Sequence, residues 1–358
     1  MRKILDVGLS KDASQKSEIL HSDGGPYHRD IQVLGTENTW LTLFRSFFMP
    51  RRLSNYGIII THEYFSSFGV NLRLLVTFCR TKHVTVGLNQ SRKLLKSGIG
   101  PVDRLINRIF RRCDLIIVHS RREMTLFSQI HAIPPERFYF SMWGFDLPSI
   151  TAAQFSSWER PYVCLVGRNN RDIGVFIEAL AGMPIDGILI TSSYQFVPDE
   201  LPPNIHVFRD LPQNDTLDCI AHARANLILL KDNDRGAGHI TAVVAMLAGT
   251  PQIFSDVEVI RDYLVDDVSA IGIALGDAAA LRRAIERLLA SPTVAAALSE
   301  NAKSYAERWL TDKVASGRVL FALDCLSANV ELPSVDPQWL AAFEDFGKRR
   351  LNAGKDQK

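Results

Sequence analysis

The sequence predicts an α/β protein built from two Rossmann-like domains, each with a doubly wound parallel sheet. From residue 160 onward, short apolar runs alternate with stretches of helical periodicity. A run that is apolar on both faces is what a parallel strand covered by helices requires. The first half repeats this alternation less regularly. Two such domains in series are expected to face each other across a cleft, with ligands at the carboxyl ends of the strands.

The first domain is predicted to cover residues 1–150, and an aperiodic linker follows it. Its predicted strands are Lys3–Val7, Ile31–Leu34, Tyr56–Ile60, His83–Val86, Leu115–Val118 and Phe138–Phe140. Helical patterns separate these strands, notably over Trp40–Met49 and Val102–Arg112.

The second domain is predicted to cover residues 160–315. Its predicted strands are Tyr162–Val166, Gly187–Ile190, Ile205–Phe208, Asn226–Leu230, Gln252–Phe254 and Ile271–Leu275. Its predicted helices are Gly174–Ala181, Thr216–Ala223, Ile240–Ala248 and Ala278–Leu289. Gly249 and Pro251 form a stop signal for the third helix. Residues 316–358 read as helices that could pack back on the N-terminal domain, and the last of them begins at Asp336-Pro337.

Composition narrows the class of protein. The chain has 358 residues, of which 46% are hydrophobic and 22% charged, values that exclude disordered, collagen-like and coiled-coil proteins. Five cysteines lie far apart without a CxxC pair, which disfavours a disulfide framework or a zinc site. We expect no bound metal. Charges are spread through the first twenty residues and no long apolar run occurs, so we expect a cytoplasmic protein.

Charge is divided unevenly between the two halves. Residues 1–150 contain 21 Lys and Arg against 12 Asp and Glu, whereas the remainder contains 20 against 27. A basic half is expected to meet an anionic partner, such as lipid head groups or phosphates. Nucleic acid is a poor candidate because no RRM, KH or zinc signature occurs.

Two stretches of the basic half combine cations with an apolar stripe. Trp40, Leu43, Phe44, Phe47 and Phe48 recur at helical spacing beside arginines, and so do Val102, Leu105, Ile106, Ile109 and Phe110. Basic amphipathic helices of this kind lie well on anionic membrane surfaces. The alternative is that the stripes are domain core and the charges a solvated face.

Two turns of the second domain have features of an anion site. Arg168 and Arg171 follow the first strand, where planar guanidinium groups and a helix N-terminus can bind a diphosphate. Gly236-Ala237-Gly238-His239-Ile240-Thr241 joins a strand to a helix, and glycines there let backbone amides approach an oxyanion. Solvated arginines and a plain tight turn are the alternatives. Asp232-Asn233-Asp234 also fits the metal-binding DxD pattern, a three-residue match that is common by chance.

Several weak motifs occur in an order that resembles that of a known protein family. These motifs are Gly167-Arg168 with Arg171-Asp172, Ala245-Met246-Leu247-Ala248-Gly249-Thr250-Pro251, Asp262-Tyr263, Gly276-Asp277, and, in the first half, Asp114–Ser120 and Gly144-Phe145-Asp146. The stretch Tyr162–Leu289 resembles the donor-binding half of GT-B glycosyltransferases of the family 4 kind. That resemblance implies two Rossmann-like domains and a nucleotide-sugar donor as substrate, with no cofactor.

The resemblance also implies roles for individual residues. Arg168 and Arg171 would hold the donor diphosphate, while Gly238, His239, Ile240 and Thr241 would contact phosphate and sugar. Two glutamates that the family uses for the donor fall here on Gly236 and Val244, neither of which is acidic. Asp234 or Asp232 could replace the carboxylate that contacts the sugar.

Catalytic candidates lie at strand ends of the first domain. His62-Glu63 directly follows a predicted strand, and either side chain could take the proton of an acceptor hydroxyl. His119 occupies a similar position. Asn89 stands where the resemblance places a histidine in retaining members, which favours an inverting enzyme.

The resulting hypothesis is a hexosyltransferase-like enzyme that transfers a sugar from a nucleotide donor to a hydroxyl of a membrane-proximal glycan. The glycan could be lipid-linked, as in surface polysaccharide biosynthesis. The protein would then work in the cytoplasm at the inner face of the membrane. Two alternatives remain open: a non-catalytic GT-B protein that binds a sugar nucleotide or glycan, and a sugar-nucleotide epimerase of the same fold.

Overall fold

The computed structural model describes residues 2–8, 27–35, 38–88, 100–233 and 236–349. The chain divides into two units. Unit 1 contains Met1–Met142 and Lys313–Pro337, and unit 2 contains Trp143–Asp312 and Gln338–Lys358. The segment expected as a third region, 316–358, is therefore divided between the two units.

Unit 1 is built on a six-stranded parallel sheet. Its strands are β1 (Arg2–Gly8), β2 (Tyr27–Val33), β3 (Ile58–His62), β4 (Lys82–Val86), β5 (Leu115–Val118) and β6 (Phe138–Phe140), in the order β2-β1-β3-β4-β5-β6. Its helices are α1 (Thr39–Phe47), α2 (Tyr64–Val76), α3 (Pro101–Phe110) and α4 (Arg121–His131), with short 3₁₀ turns at Leu53–Asn55 and Pro135–Arg137.

Unit 2 contains a second six-stranded parallel sheet. Its strands are β7 (Tyr162–Val166), β8 (Asp186–Thr191), β9 (Ile205–Arg209), β10 (Ala225–Ile228), β11 (Gln252–Ser255) and β12 (Ile271–Ile273), in the order β12-β11-β10-β7-β8-β9. The helices are α5 (Ile173–Leu180), α6 (Gln213–His222), α7 (His239–Ala248), α8 (Ala278–Ala290) and α9 (Pro292–Trp309). Two parallel sheets flanked by helices confirm the predicted fold class.

The last two helices belong to different units. Helix α10 (Asp312–Ala328) places Ala322 and Leu323 in the core of unit 1, against strand residues such as Ile58 and Ile60. In helix α11 (Pro337–Gly347), the Trp339 indole donates a hydrogen bond to the Tyr305 hydroxyl of α9, at 2.7 Å. Within the described ranges, no helix is long and apolar enough to cross a bilayer.

Strand β3 of unit 1 has apolar residues on both faces because helices cover both. Ile58 and Ile60 lie in one core cluster with α10, whereas Ile59, between them, packs with Val70 and Leu74 of α2 on the opposite face. The same alternation in β7 sends Val163 and Leu165 to one cluster and Cys164 and Val166 to the other. Both sheets thus lie between two layers of helices, and the carboxyl ends of their strands are left for function.

Helices α1 and α2 approach each other closely at Gly69. A Cβ atom added to Gly69 would lie 1.9 Å from Ser46 Oγ and 2.7 Å from the backbone oxygen of Leu43. Only glycine fits at this crossing, although it weakens a helix interior. Gly317, within α10 of the same unit, has no atom within 4 Å of the corresponding position.

These two glycines give opposite expectations for the same substitution. Gly69→Ala should lower the free energy of unfolding by about 1–3 kcal/mol because the added methyl group meets backbone. Gly317→Ala should raise it by about 0.5–1 kcal/mol because it only improves helix propensity. Urea unfolding measures both variants, and a stabilised Gly69→Ala protein would contradict the close crossing.

Candidate functional site

The strand order of unit 2 creates a crevice at the carboxyl ends of β7 and β10. The chain passes from β7 to β8 and β9 on one side and returns to β10 on the other side of β7. The loops that follow β7 and β10 therefore diverge, and such a switch point is where open α/β sheets bind ligands. Residues 167–172 form the first loop, and residues 229–238 the second, as far as the structure describes it.

Arg171 joins these two loops. Its guanidinium donates hydrogen bonds to the backbone oxygens of Val166 at 2.9 Å and Asn169 at 3.0 Å, and to the Thr241 hydroxyl at 3.2 Å. Its backbone forms an isolated antiparallel bridge with Leu230. The side chain is buried, with 6% of its surface exposed. Arg171 thus sits at the switch point itself.

Two glycines with positive φ lie beside this guanidinium, and Gly167 leaves the space that it occupies. Gly167 has φ +147°, and a Cβ atom there would lie 2.4 Å from Arg171 Nη2. Gly238 has φ +83°, and a Cβ atom there would lie 2.8 Å from the Ile228 side chain and 3.6 Å from Nη2. Gly167 is required both by its backbone conformation and by the close approach of the arginine, and Gly238 by its backbone conformation and by the Ile228 side chain.

The Arg171 guanidinium is a buried positive charge that contacts only neutral oxygens among the described residues. It hydrogen-bonds to neutral oxygens, and among the described residues no carboxylate forms a salt bridge with it. Burial lowers the pKa of Arg171 to about 10, so the group remains charged at neutral pH. Helix α7 begins next to it at Gly238, with no side-chain cap and no acidic residue in its first turn. A buried cation beside an uncapped helix N-terminus is an arrangement that binds an anion.

The other residues predicted to bind the donor differ in their exposure and in their contacts. Arg168 is exposed and makes no hydrogen bond or ion pair within the described ranges, so only Arg171 of the pair is built into the loops. Ile240 is exposed at the start of α7. The Thr241 hydroxyl accepts from Arg171 and donates to the Gly238 backbone oxygen at 2.9 Å. Asp234 lies outside the described residues.

The His239 side chain is directed into the protein. It stacks on Tyr263 at 4.5 Å between ring centroids, and its Nε2 lies 2.7 Å from the Val259 backbone oxygen. Because a carbonyl can only accept, Nε2 carries the proton. The backbone amide of His239 therefore remains its means of contacting a ligand.

The two positions at which the resemblance implies glutamates offer no carboxylate. Val244 is buried in the core of unit 2, in one cluster with Cys164 and Val166. Asp232 accepts a hydrogen bond from the Asn170 amide at 3.3 Å, which fixes it to the loop after β7. In the part of the chain that the structure describes, no group of three or more His, Cys, Asp or Glu side chains could hold a metal ion.

The switch point of unit 1 lies between β1 and β3, and it holds a second polar constellation. His62 Nε2 and Asp6 Oδ1 are 2.9 Å apart, with Asp6 on β1 and His62 at the end of β3. A carboxylate can only accept, so Nε2 carries a proton, and in the neutral imidazole the lone pair is then on Nδ1. The His62 side chain is 28% exposed, which leaves it accessible to a substrate.

Asp6 is held between His62 and Arg29. The Arg29 guanidinium donates to its second carboxylate oxygen, and both side chains are almost fully buried. Burial alone would raise the pKa of Asp6, but His62 and Arg29 together outweigh it and leave that pKa lowered. Asp6 therefore stays ionised and holds the imidazole in one tautomer and one orientation.

Glu63 has a structural role in this arrangement. Its carboxylate caps α2 by accepting from the backbone amides of Ser66 at 2.7 Å and Phe65 at 3.1 Å. Burial raises its pKa, while these hydrogen bonds oppose the shift. Its φ of 73° is unusual for a residue other than glycine. With both oxygens engaged, Glu63 is less suited than His62 to accept a proton.

His119 lies near His62 at the end of β5. Its Nδ1 donates to the Ser141 backbone oxygen at 2.8 Å, so Nε2 is the unprotonated nitrogen. Burial lowers the pKa of His119 to about 4, and it is therefore neutral at pH 7. Gly87 allows this placement, because a Cβ atom there would approach Nε2 to 3.3 Å.

Sequence reasoning missed Asp6 and Arg29. The available signal was a single acidic residue inside the otherwise apolar run Ile4-Leu5-Asp6-Val7. A buried carboxylate needs a partner, so its position in a strand predicts one. The sequence alone does not say that this partner is His62, which lies 56 residues further along the chain.

Comparison with known proteins finds a sequence family that matches part of unit 2 and solved structures that share the fold. Residues 199–305 match the sequence family described as glycosyl transferases group 1. No curated protein sequence matches the chain. Sucrose-phosphate synthase from Thermosynechococcus elongatus has a similar structure, with a TM-score of 0.71 at 15% identity over 92% of this chain and 100% of that one.

Two further solved structures are similar. HepE from Anabaena, in complex with UDP and glucose, gives a TM-score of 0.66 at 14% identity over 90% of this chain and 100% of that one. WaaG, a glycosyltransferase involved in lipopolysaccharide biosynthesis, gives 0.57 at 15% identity over 87% and 98%. The fold is GT-B. The group 1 match within unit 2, together with the GT-B fold, supports a glycosyltransferase.

Gly167 allows a direct test of the Arg171 pocket. Inorganic pyrophosphate should stabilise the native chain against heat. Gly167→Ala should abolish this stabilisation, because the new methyl group would displace the Arg171 guanidinium. Gly182→Ala is the matched control, since Gly182 also has a positive φ, +73°, but has no atom within 4 Å of its Cβ position. Differential scanning fluorimetry measures both variants. A normal response of Gly167→Ala to pyrophosphate would remove Arg171 from the anion site.

The Arg29–Asp6–His62 chain can be tested by charge removal. Asp6→Asn leaves the Arg29 charge buried without its carboxylate and should cost about 3–5 kcal/mol of unfolding free energy. The double variant Asp6→Asn/Arg29→Met should recover part of that loss.

The pH dependence of stability has a definite sign. Because the folded pKa of Asp6 is lowered, its contribution is present above its unfolded pKa of about 3.9 and is lost as pH falls through the folded value. The stability difference between the native chain and the double variant should therefore shrink on acidification below about pH 4. A difference independent of pH in urea titrations would contradict the charged pairing.

Proposed function

We propose that this chain transfers a sugar from a nucleotide-sugar donor to a hydroxyl group of a glycan. The observation that carries the proposal is the buried Arg171 guanidinium, which lies beside the uncapped start of α7 and has no carboxylate partner among the described residues. A desolvated cation without a counter-charge is unfavourable, and a bound anion would relieve it. In a chain of GT-B fold, the donor diphosphate is the anion that fits.

In the proposed transfer reaction, negative charge would develop on the donor diphosphate at the Arg171 pocket. As the glycosidic C–O bond of the donor breaks, its electron pair passes to the diphosphate oxygen. Arg171, the α7 amides and the exposed Arg168 would stabilise that charge more strongly in the transition state than in the bound donor. The complex of HepE with UDP and glucose supports a uridine nucleotide as the first donor to try.

His62 is the proposed general base. Its Nδ1 would accept the proton of the acceptor hydroxyl, while Asp6 stabilises the imidazolium that forms. His119, neutral at pH 7, would contribute a hydrogen-bond acceptor close by. A single displacement that uses a base in this way inverts the anomeric centre.

The proposed acceptor is a glycan close to a membrane, and it could be lipid-linked. The basic character of residues 1–150 supports this part of the proposal, since anionic head groups and phosphates would be attracted to it. The chain would accordingly work in the cytoplasm at the inner face of the membrane, in surface polysaccharide biosynthesis.

One observation favours a second candidate function, a GT-B protein that binds a sugar nucleotide without transferring the sugar. The positions at which the resemblance implies donor-binding glutamates carry Gly236 and the buried Val244. A transfer assay separates the two functions, because a binding protein retains nucleotide affinity but releases no nucleoside diphosphate. An epimerase of the same fold would convert the donor sugar without any acceptor.

Donor binding should depend on Arg171. At a ligand concentration of about 100 times Kd, UDP should stabilise the chain by about 2.7 kcal/mol, which for a unit of this size corresponds to roughly 5–10 °C. Arg171→Met and Arg168→Ala should abolish or strongly reduce this shift. Arg282→Met is the control, because the Arg282 side chain caps the Ala181 backbone oxygen at 2.6 Å instead. An unchanged UDP response in Arg171→Met would refute the assigned site.

The proposed base makes a separate kinetic prediction. His62→Ala should lower kcat by about 10²–10⁴-fold with little effect on UDP-induced stabilisation. Glu63→Gln should affect the unfolding midpoint more than kcat, because Glu63 caps α2. UDP release with and without an acceptor glycan measures both variants, and full activity of His62→Ala would exclude it as the base.

A further inference from the structure

Helix α1 has its apolar face turned outward. Thr42 and Ser46 are buried at 2% and 0% exposure, whereas Trp40, Phe44 and Phe48, at its start, middle and C-terminal cap, are 78%, 56% and 62% exposed. These three aromatic residues follow one another at intervals of four and share one side of the helix, which we call the aromatic face. A surface helix of a soluble domain normally has the opposite arrangement.

The contact with α2 explains why the small polar residues face inward. Ser46 lies against Gly69, where a Cβ atom would come within 1.9 Å of its hydroxyl oxygen. The Ser46 hydroxyl is satisfied within its own helix by donating to the Leu43 backbone oxygen at 2.8 Å. The close crossing leaves no room for a large side chain, so the aromatic residues can lie only on the far side of α1.

More apolar surface lies next to the end of this helix. Arg73 of α2 donates to the backbone oxygens of Met49 at 2.7 Å and Arg51 at 2.9 Å, which fixes the end of α2 beside the end of α1. The residues that follow Arg73 include Val76 and Phe78, which are 52% and 89% exposed. The exposed apolar surface is therefore not confined to a single helix.

The segment that carries the aromatic face contains arginines and no acidic residue. Residues 38–62 contain three arginines, Arg45, Arg51 and Arg52, and no Asp or Glu. All three are exposed, and so is Arg80 beyond the end of α2. Arg45 also ties α1 to the end of β2 by donating to the Leu34 backbone oxygen at 2.6 Å. Arg51 also lies 3.7 Å from the Asp30 carboxylate of β2, whereas no salt bridge of Arg45 or Arg52 is found among the described residues. A contiguous aromatic face with exposed arginines beside it is complementary to a surface that is apolar inside and anionic at its rim.

We propose that α1 lies on the surface of an anionic phospholipid bilayer, with Trp40, Phe44 and Phe48 inserted between the head groups. Aromatic side chains are well suited to that interface, and arginines at the rim would pair with lipid phosphates. The proposal deepens the membrane contact of the proposed function and rests on that contact, but not on the donor site. Its failure would leave the Arg171 pocket unaffected.

The N-terminal part of α3 contributes a smaller surface of the same kind. Val102 and Leu105 are 67% and 56% exposed, whereas Ile109 and Phe110, further along the same helix, are buried. The apolar stripe of this helix is thus divided, with its last turn in the core and its first turns outward. Arg104 and Arg108 are exposed on the same helix.

Vesicle co-sedimentation with the full chain tests the proposal. The chain should bind vesicles of phosphatidylglycerol and phosphatidylcholine at least tenfold more tightly than vesicles of phosphatidylcholine alone, and 0.5 M NaCl should reduce the difference. Phe44→Ser/Phe48→Ser should weaken binding to the mixed vesicles at least tenfold. Phe321→Ser is the matched control, because Phe321 is a 48% exposed phenylalanine of the same unit, on α10.

A second pair of substitutions separates insertion from charge. Arg51→Gln/Arg52→Gln should weaken binding to mixed vesicles and reduce its dependence on salt, without changing the weak binding to neutral vesicles. Quenching of tryptophan fluorescence by brominated lipid should be lost in Trp40→Tyr. The unfolding midpoint of each variant, measured without vesicles, shows whether the fold is kept.

Three outcomes would overturn the proposal. Wild-type binding by a folded Phe44→Ser/Phe48→Ser variant would show that the aromatic face does not insert. Equal binding to neutral and anionic vesicles would remove the role of the arginines. A dimer in light scattering that dissociates in the phenylalanine variant, together with no vesicle binding, would assign the face to a second copy of the chain.

Discussion

A buried positive charge with no carboxylate partner in the described part of the chain is the constraint on which the loops of unit 2 depend. Arg171 is desolvated, and each hydrogen-bond acceptor recorded for its guanidinium is a neutral oxygen. Its position is maintained by Gly167, which leaves the space that the guanidinium occupies, and by its backbone bridge to Leu230. The fold thus keeps a cation at the switch point of the second sheet, where a diphosphate would supply the missing charge.

The two sheets use the same topological position in different ways. In unit 1 the crevice between β1 and β3 holds a chain of three ionisable groups, in which Asp6 joins the buried Arg29 to the accessible His62. The Asp6 carboxylate balances the Arg29 charge there, and it also orients the His62 imidazole. In unit 2 the Arg171 guanidinium has no carboxylate partner among the described residues, an arrangement that suits an anion. One arrangement suits proton transfer, and the other suits stabilisation of a leaving group.

The orientation of α1 shows how packing can override the hydrophobic pattern of a helix. Three aromatic residues would normally decide which side is buried. Here the crossing at Gly69 admits only small side chains, so Thr42 and Ser46 occupy the inner side instead. Because these aromatic side chains are exposed, the domain does not gain the free energy of burying them. Contact with an apolar environment outside the domain explains their exposure better than packing within the domain does.

The sequence by itself determined the α/β class and most strand positions, including Leu115–Val118 and Tyr162–Val166, because parallel strands buried on both faces leave continuous apolar runs. It also identified the turns around Arg171 and Gly238, since glycines and cations at strand ends are local features. It assigned no bounds to α2, whose partly polar buried side, including Ser66, Ser67 and Asn71, lacks a clear apolar stripe.

Only the tertiary structure decided which of two equivalent-looking arginines is buried, that Asp6 is paired with His62, and that α1 faces outward. Each of these depends on segments far apart in the chain: the β7 and β10 loops, strands β1 and β3, and the crossing of Ser46 with Gly69. Periodicity and local motifs carry no information about such pairings, because the contacts are fixed by the order of strands in the sheet and by the space between packed helices.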